Sequence, residues 1–402
     1  MNALKIINGK LILPGAIVEG KSLYVLDGKI YAITSEMLDV PDLQEMDVRG
    51  NYVAPGFIDM HVHGGADHDF MDNDPLGFIA IAQMHAQHGT TSMNPTTLSC
   101  GREDLLETIR LYDASEPVKY NGAQFIGLHI EGPYFAMEQR GAQDPRFIRD
   151  PDPDEYREVL AAAKHIARWS AAPELPGALE FGKYMVQHQV MPAIAHTNAS
   201  YEEVVQAFDV GYTHVTHFYS AMSGVFRRNA FRYAGVVESA YLIDDMTVEI
   251  IADGVHLPPP LLQLVYKIKG PDKIALITDA MRGAGTQGSQ SVLGSRKNGL
   301  PVLLEDGVAK LPDRSAFAGS IATMDRLVRN MITLAGVSLT DAVKMATVTP
   351  AKLMGVDEWT GSLEEGKQAD IVVFDPSVTI LKTIIGGRLV HDAGKLELPE
   401  AD

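Results

Sequence analysis

The chain has 402 residues, 46% of them hydrophobic and 21% charged, with a formal net charge of −18. This is a globular composition rather than a disordered one, and its acidic balance argues against nucleic acid or an anionic membrane as a partner, because both recruit clustered Lys and Arg. A single cysteine, Cys100, excludes an intrachain disulfide and a Cys-rich zinc site; it fits a reducing, cytoplasmic setting, with the thiol as a small buried group.

The opening residues, MNALKIINGKLILPG, hold no apolar run of secretory length, since Pro14 and Gly15 interrupt the candidate. No run of about 18 apolar residues follows, so no membrane span is expected. Residues 1–55 read as short strands separated by Asn-Gly and Asp-Gly turns. Residues 358–402 read the same way, so strands from both ends are expected to form one small β-sandwich flanking a longer middle. Within residues 56–357, eight short apolar runs read as parallel strands: 57–63, 91–96, 125–131, 168–174, 191–196, 213–217, 247–253 and 273–279. Helical patterns fall at 75–88, 104–114, 152–165, 177–189, 201–210 and 258–268, with a closing stretch at 324–335 and 340–355. Alternation of this kind over some 300 residues predicts a (β/α)8 barrel of the TIM type.

Active-site residues of such a barrel lie at the C-terminal ends of its strands. Six ligand types fall there: His61 and His63 on strand one, Glu131 on strand three, His196 on strand five, His217 on strand six and Asp279 on strand eight. His61 and His63 are two residues apart, so on a strand both imidazoles face one way. A lone buried His is more often structural than a ligand, but six at matching positions reverse that balance and suit zinc or another first-row divalent ion. His214, three residues before His217, is expected on the opposite face as a structural residue, and His129 is expected to orient the ligands from behind. His68, His85, His88, His165, His188 and His391 are read as structural. Gly283–Gly288 matches the dinucleotide pattern GxGxxG, yet no helix pattern opens at its last Gly, so residues 283–299 are read as a mobile loop beside the site.

The segment PGFIDMHVHG, residues 55–64, resembles the amidohydrolase superfamily. LHIEGPY (128–134), AHTNAS (195–200), THFYSAM (216–222), IADGVH (251–256), LITDA (276–280) and FAGSIATM (317–324) resemble its N-acetylglucosamine-6-phosphate deacetylase family. The resemblance covers nearly the whole chain. It implies a metal-dependent hydrolase that removes acetate from N-acetylglucosamine-6-phosphate, usually as a homodimer. One divalent ion would be held by Glu131, His196 and His217, and a second by His61 and His63 with Glu131 bridging. Zinc is the first choice, with iron, manganese or cobalt as alternatives. Asp279 would carry the proton as well as approach the metal. Ala142, Gln143, His196, His217, Ser220, Ala221, Arg228, His256, Phe317, Ala318 and Gly319 would contact the sugar phosphate, with Arg228 acting within its own subunit or across the interface. The family commonly has His at the place of Gln143 and Asn at the place of Ser220, which leaves N-acetylgalactosamine-6-phosphate open as the substrate. Other metal-dependent amidohydrolases remain alternatives. Those acting on cyclic amides often bridge their metals with a modified Lys, and no Lys ends the fourth strand here. A non-enzymatic barrel would be expected to have lost several of the six ligands.

Overall fold

A computed structural model describes residues 3–394; the outermost residues of both expected sandwich segments, 1–2 and 395–402, lie outside them. The middle of the chain forms eight parallel strands: β1 (Phe57–Val62), β2 (Thr90–Pro95), β3 (Leu128–Glu131), β4 (Ile166–Ala171), β5 (Met191–Ile194), β6 (His214–Val215), β7 (Thr247–Ile250) and β8 (Ile274–Leu276). Neighbours pair in parallel from β3 to β8, and β1 pairs with β2. Parallel bridges between Thr96 and His129 and between Val62 and Ala280 join these two sheets into a closed ring. Both faces of a barrel strand are covered, and so β1 and β2 are buried at every residue. The helices between strands start where the sequence supplies caps. Asp74 precedes Pro75 and accepts from the Leu76 N–H, Asp152 does the same ahead of Pro153, and Ser200 with Glu203 forms a capping box.

The terminal strands build two sheets. One runs in the order 388–392, 380–385, 371–374, 52–55, 10–13, 16–18, so that Ile371–Phe374 lies antiparallel to Tyr52–Pro55 and ties the two chain ends together. The other comprises 29–34, 22–26, 3–7 and 44–47. Ile6, Leu11, Leu23, Val25, Val53, Ile371, Val373 and Ile384 from both sheets form one apolar cluster. The expected pairing of the two ends is present.

Three local expectations are corrected. The segment 283–299 is not loop throughout. Gln290–Leu293 is the first strand of a four-stranded antiparallel sheet completed by Leu300–Glu305, Val308–Lys310 and Phe317–Ser320. In the turn before it Gly285 lies close to Met84, where a Cβ would stand 2.8 Å from that side chain. The closing stretch 340–355 is two helices, Leu339–Ala346 and Val348–Leu353; Pro350 has no N–H to reach the Ala346 carbonyl, so one helix cannot run through. The run 125–131 is also interrupted: Gln124–Phe125 pairs with β2, and β3 starts only at Leu128, after Gly127 at φ 125°.

Candidate metal centre and substrate cleft

The six predicted ligands come together at the C-terminal mouth of the barrel, in two groups. His61, His63 and Asp279 form one, and Glu131, His196 and His217 the other; within each group the ligand atoms lie within 4.8 Å of one another and every residue is buried. His61 sits on β1 and Glu131 ends β3, as the period-two reading requires. His196, His217 and Asp279 do not end strands. They lie two or three residues beyond β5, β6 and β8, in left-handed backbone at φ 46°, 27° and 48°. Unfavourable φ values of this kind persist where surrounding structure fixes them, and they gather at functional sites. Gly319 presses on the same place: a Cβ there would meet the Asp279 carbonyl at 2.9 Å, and its own φ is +72°.

This backbone overturns the expectation for His214. The parity argument assumed that the strand reached His217, but β6 stops at Val215. His214 therefore points into the barrel, where its Nε2 lies 3.3 Å from Glu249 Oε2. His129 is buried behind the ligands as expected, with its ring edge-on to His61 at 4.5 Å and its Nε2 2.7 Å from Ser170 Oγ.

Three of the four imidazoles are oriented by an acceptor at Nδ1 to present Nε2. His61 Nδ1 donates to Glu249 Oε1 at 2.7 Å, His63 Nδ1 to the Thr96 carbonyl at 3.2 Å and His196 Nδ1 to the Gln139 carbonyl at 2.8 Å. Each of these acceptors fixes the proton on Nδ1 and leaves the Nε2 lone pair free, the pattern expected of metal-ligating histidines. Nε2 then faces Nε2 across 3.2 Å between His61 and His63, and across 3.1 Å between His196 and His217. Glu131 spans both groups: Oε1 is 3.1 Å from His217 and 3.7 Å from His196, and Oε2 is 3.4 Å from His63. The donor set fits one or two divalent ions.

The electrostatics agree. Burial by itself would lower the His61 pKa, but the carboxylates of Asp279, Glu249 and Glu131 outweigh it and raise it to about 9. Burial opposes ionisation of Glu131 too, yet His61, His196 and His217 hold its carboxyl well below the usual range. The pocket thus favours positive charge at its centre, which protons or a cation can supply.

A cleft of about 440 Å³ opens onto these groups, within the usual size of a small-molecule site. Of the residues expected to contact a sugar phosphate, Ala142, Gln143, His196, His217, Ser220, Ala221, His256, Phe317 and Gly319 line it. His256 is held by Asp253, whose Oδ2 accepts from Nδ1 at 2.7 Å. Gln143 does more than line the wall. Its Oε1 accepts from the Ser99 N–H at 2.8 Å, so its amide nitrogen must face Glu131 Oε2, 2.6 Å away. Ala318 is buried in the neighbouring sheet's core with Met281 and Leu293 and does not line the cleft. Arg228 does not line it either. It sits on an exposed hairpin, Phe226–Arg228 with Phe231–Tyr233, its guanidinium over the rings of Phe226 and Tyr233. Among the described residues, no Lys or Arg lines the cleft.

Two residues at the centre of the arrangement escaped the sequence reading, Glu249 and Arg168. Both are fully buried and form an ion pair beneath the ligands. A signal existed: each is a charged residue inside an apolar strand, and a buried charge must be paired.

The amidohydrolase family model matches residues 52–390. The chain is 32% identical to the N-acetylglucosamine-6-phosphate deacetylase of Lysinibacillus sphaericus, over 92% of this chain and 93% of that one. It is equally, 32%, identical to the N-acetylgalactosamine-6-phosphate deacetylase of Escherichia coli O157:H7, over 92% of this chain and 95% of that one. The crystal structure of N-acetylglucosamine-6-phosphate deacetylase from Pasteurella multocida superposes with a TM-score of 0.89 at 28% identity, covering 96% of this chain and 99% of that one. A barrel whose mouth gathers these six ligands, matched along most of its length by these relatives, belongs to the amidohydrolase family.

Proposed function

We propose that this chain hydrolyses the acetamide of N-acetylglucosamine-6-phosphate, releasing acetate and glucosamine-6-phosphate. The observation that carries the reading is the pair of ligand groups sharing Glu131 at the floor of a sugar-sized cleft. A divalent ion held there, zinc by our choice, supplies Lewis acidity and brings the pKa of water from 15.7 toward about 7.

The chain's own residues do the rest. Glu131, His196 and His217 would hold one ion, and His61, His63 and Asp279 would provide for a second. Asp279 Oδ1 lies 3.2 Å from His63 Nε2 and 3.4 Å from His61 Nε2, and its side chain still faces the cleft. It accepts the proton of the attacking water and returns it to the departing amine nitrogen, because an amide nitrogen leaves poorly until protonated. His256 presents Nε2 to the sugar phosphate while Asp253 holds its Nδ1. The cationic contact to phosphate comes from Arg228 of a second copy in a homodimer. In support, the hairpin is exposed, with Phe231 on it 72% exposed and the adjoining Val225 61% exposed, and among the described residues no Lys or Arg lines the chain's own cleft. The single cysteine fits a cytoplasmic site of action; among the described residues no helix is long and apolar enough to cross a membrane.

The galacto epimer is the second substrate to test, because a relative of equal identity bears that name and Gln143 and Ser220 both line the cleft. Acetate release with added zinc is measured on the two phosphorylated epimers and on their unphosphorylated sugars. Turnover confined to phosphorylated sugars is expected, fastest on the gluco epimer. No turnover of any of them sinks the reading, and preference for the galacto epimer replaces the substrate.

A further inference from the structure

Beneath the ligands, the barrel interior holds a charged network that the chemistry above does not use. Glu249 on β7 and Arg168 on β4 are both 0% exposed and are ion-paired. Arg168 also donates to Thr216 Oγ1 at 3.2 Å. Each oxygen of Glu249 serves two partners. Oε2 receives Arg168 and lies 3.3 Å from His214 Nε2. Oε1 receives His61 Nδ1 at 2.7 Å and the backbone N–H of His217 at 3.1 Å. One carboxylate oxygen therefore touches a member of each ligand group: the imidazole of His61 and the left-handed backbone of His217.

A buried ion pair is poor evidence of stabilisation, since apolar side chains of similar volume often serve as well. What apolar side chains cannot do is fix a tautomer. We propose that Glu249 is a positioning residue that keeps the proton of His61 on Nδ1, turns Nε2 toward the ion, and through the same oxygen holds the turn that carries His217. Glu249 thereby ties the geometry of the two ligand groups together. Arg168 is the counter-charge that keeps Glu249 ionised and its Oε2 occupied. This role rests on the metal-centre reading above.

The isosteric amide is a sharp probe. Both oxygens of Glu249 face donors that cannot accept, the Arg168 guanidinium on one side and the His217 N–H on the other. A Gln in either orientation sets an NH2 group against one of them. The test compares wild type, Glu249→Gln, and Arg168→Met combined with Glu249→Met, which removes both charges together and guards against a lone buried Arg. Zinc affinity is measured by chelator competition, and the His61 Nδ1–H resonance is followed in zinc-loaded protein carrying 15N-histidine, assigned by its loss in His61→Ala. Both variants are expected to fold and to bind zinc 10- to 100-fold more weakly; the double Met variant, which leaves His61 Nδ1 without its acceptor, is expected to lose the exchange-protected Nδ1–H resonance. KM should hold while kcat falls, because Glu249 does not line the cleft. Folded variants with wild-type zinc affinity and an intact resonance overturn the proposal. Failure of both variants to fold also overturns it, by making Glu249 a folding residue. A wild type that binds no zinc sinks the metal-centre reading itself, an outcome distinct from either.

Discussion

The two interiors of this molecule are built from different material. The cluster between the terminal sheets is apolar throughout, with Ile6, Leu23, Val53, Ile371 and Ile384 fully buried. The barrel interior under the ligands holds Arg168, Glu249, His214, His129 and Asp59, also fully buried. Burial costs nothing for the first set and a great deal for the second unless each group finds a partner. Its groups do: Glu249 alone meets Arg168, His61, His214 and the His217 backbone. The sandwich is held by area, the barrel mouth by orientation. A substitution in the first should cost stability and spare chemistry; one in the second should cost chemistry, and stability as well wherever it leaves a buried charge unpaired.

The largest effect expected is at Asp279. Asp279→Asn should lower kcat by about 10²- to 10⁴-fold, the usual worth of a positioned acid–base group, while the group formed by Glu131, His196 and His217 keeps its ion. Turnover and zinc content on one preparation test both halves, and near wild-type kcat would remove the proton role. Ile384→Ala in the sandwich should show the mirror image. Deletion of a fully buried Ile side chain should cost about 2–5 kcal/mol in unfolding free energy with kcat unchanged, read by denaturant titration and steady-state rates. A fall in kcat without loss of stability would erase the contrast between the two interiors.

Arg228→Met is expected to raise KM for the phosphorylated sugar by roughly 10- to 100-fold, the equivalent of one charge-assisted hydrogen bond, and to leave an unphosphorylated analogue unaffected. Equal effects on both would remove the phosphate role. Mixing Arg228→Met with Asp279→Asn should regenerate some turnover if the arginine acts across subunits; no recovery would place it within one.

The last test is a pH dependence of ion binding, comparable in size to the Arg228 effect. In the ion-free site His61 titrates at about 9, held up by Asp279, Glu249 and Glu131 against the opposing effect of burial. Zinc must displace that proton. His63, in the same group, is also raised well above its ordinary value, by Asp279 and Glu131 against the opposing effect of burial, so apparent affinity should climb by at least about tenfold per pH unit between pH 7 and 9. A flat profile between pH 7 and 9 would show that His61 binds no ion.

Much of this was written in local pattern. The eight strands, the caps at Asp74, Asp152 and Ser200, and the pairing of both chain ends follow from apolar runs and turn residues that act over a few positions. So does the choice of ligands, because strand ends of a barrel converge whatever lies between them. Legibility failed where a residue's direction depended on backbone beyond a strand. His214 was misplaced because β6 ends at Val215 and His217 turns through a left-handed conformation, which no parity rule anticipates. The segment 283–299 was read as loop throughout because the short strand Gln290–Leu293 is defined by its pairing with Leu300–Glu305, which no local turn signal announces.

The sequence by itself therefore determined the barrel, the sandwich and six candidate ligands, since each rests on periodicity or on residue chemistry. Only the tertiary structure decided which ligands share a centre, that Glu131 spans both, that Gln143 bonds to Glu131 rather than merely lining a wall, and that Arg228 lies away from its own cleft. Those facts depend on contacts between residues far apart in the chain, such as Glu249 with His61 at a separation of 188. Only closure of the barrel brings them within hydrogen-bond range.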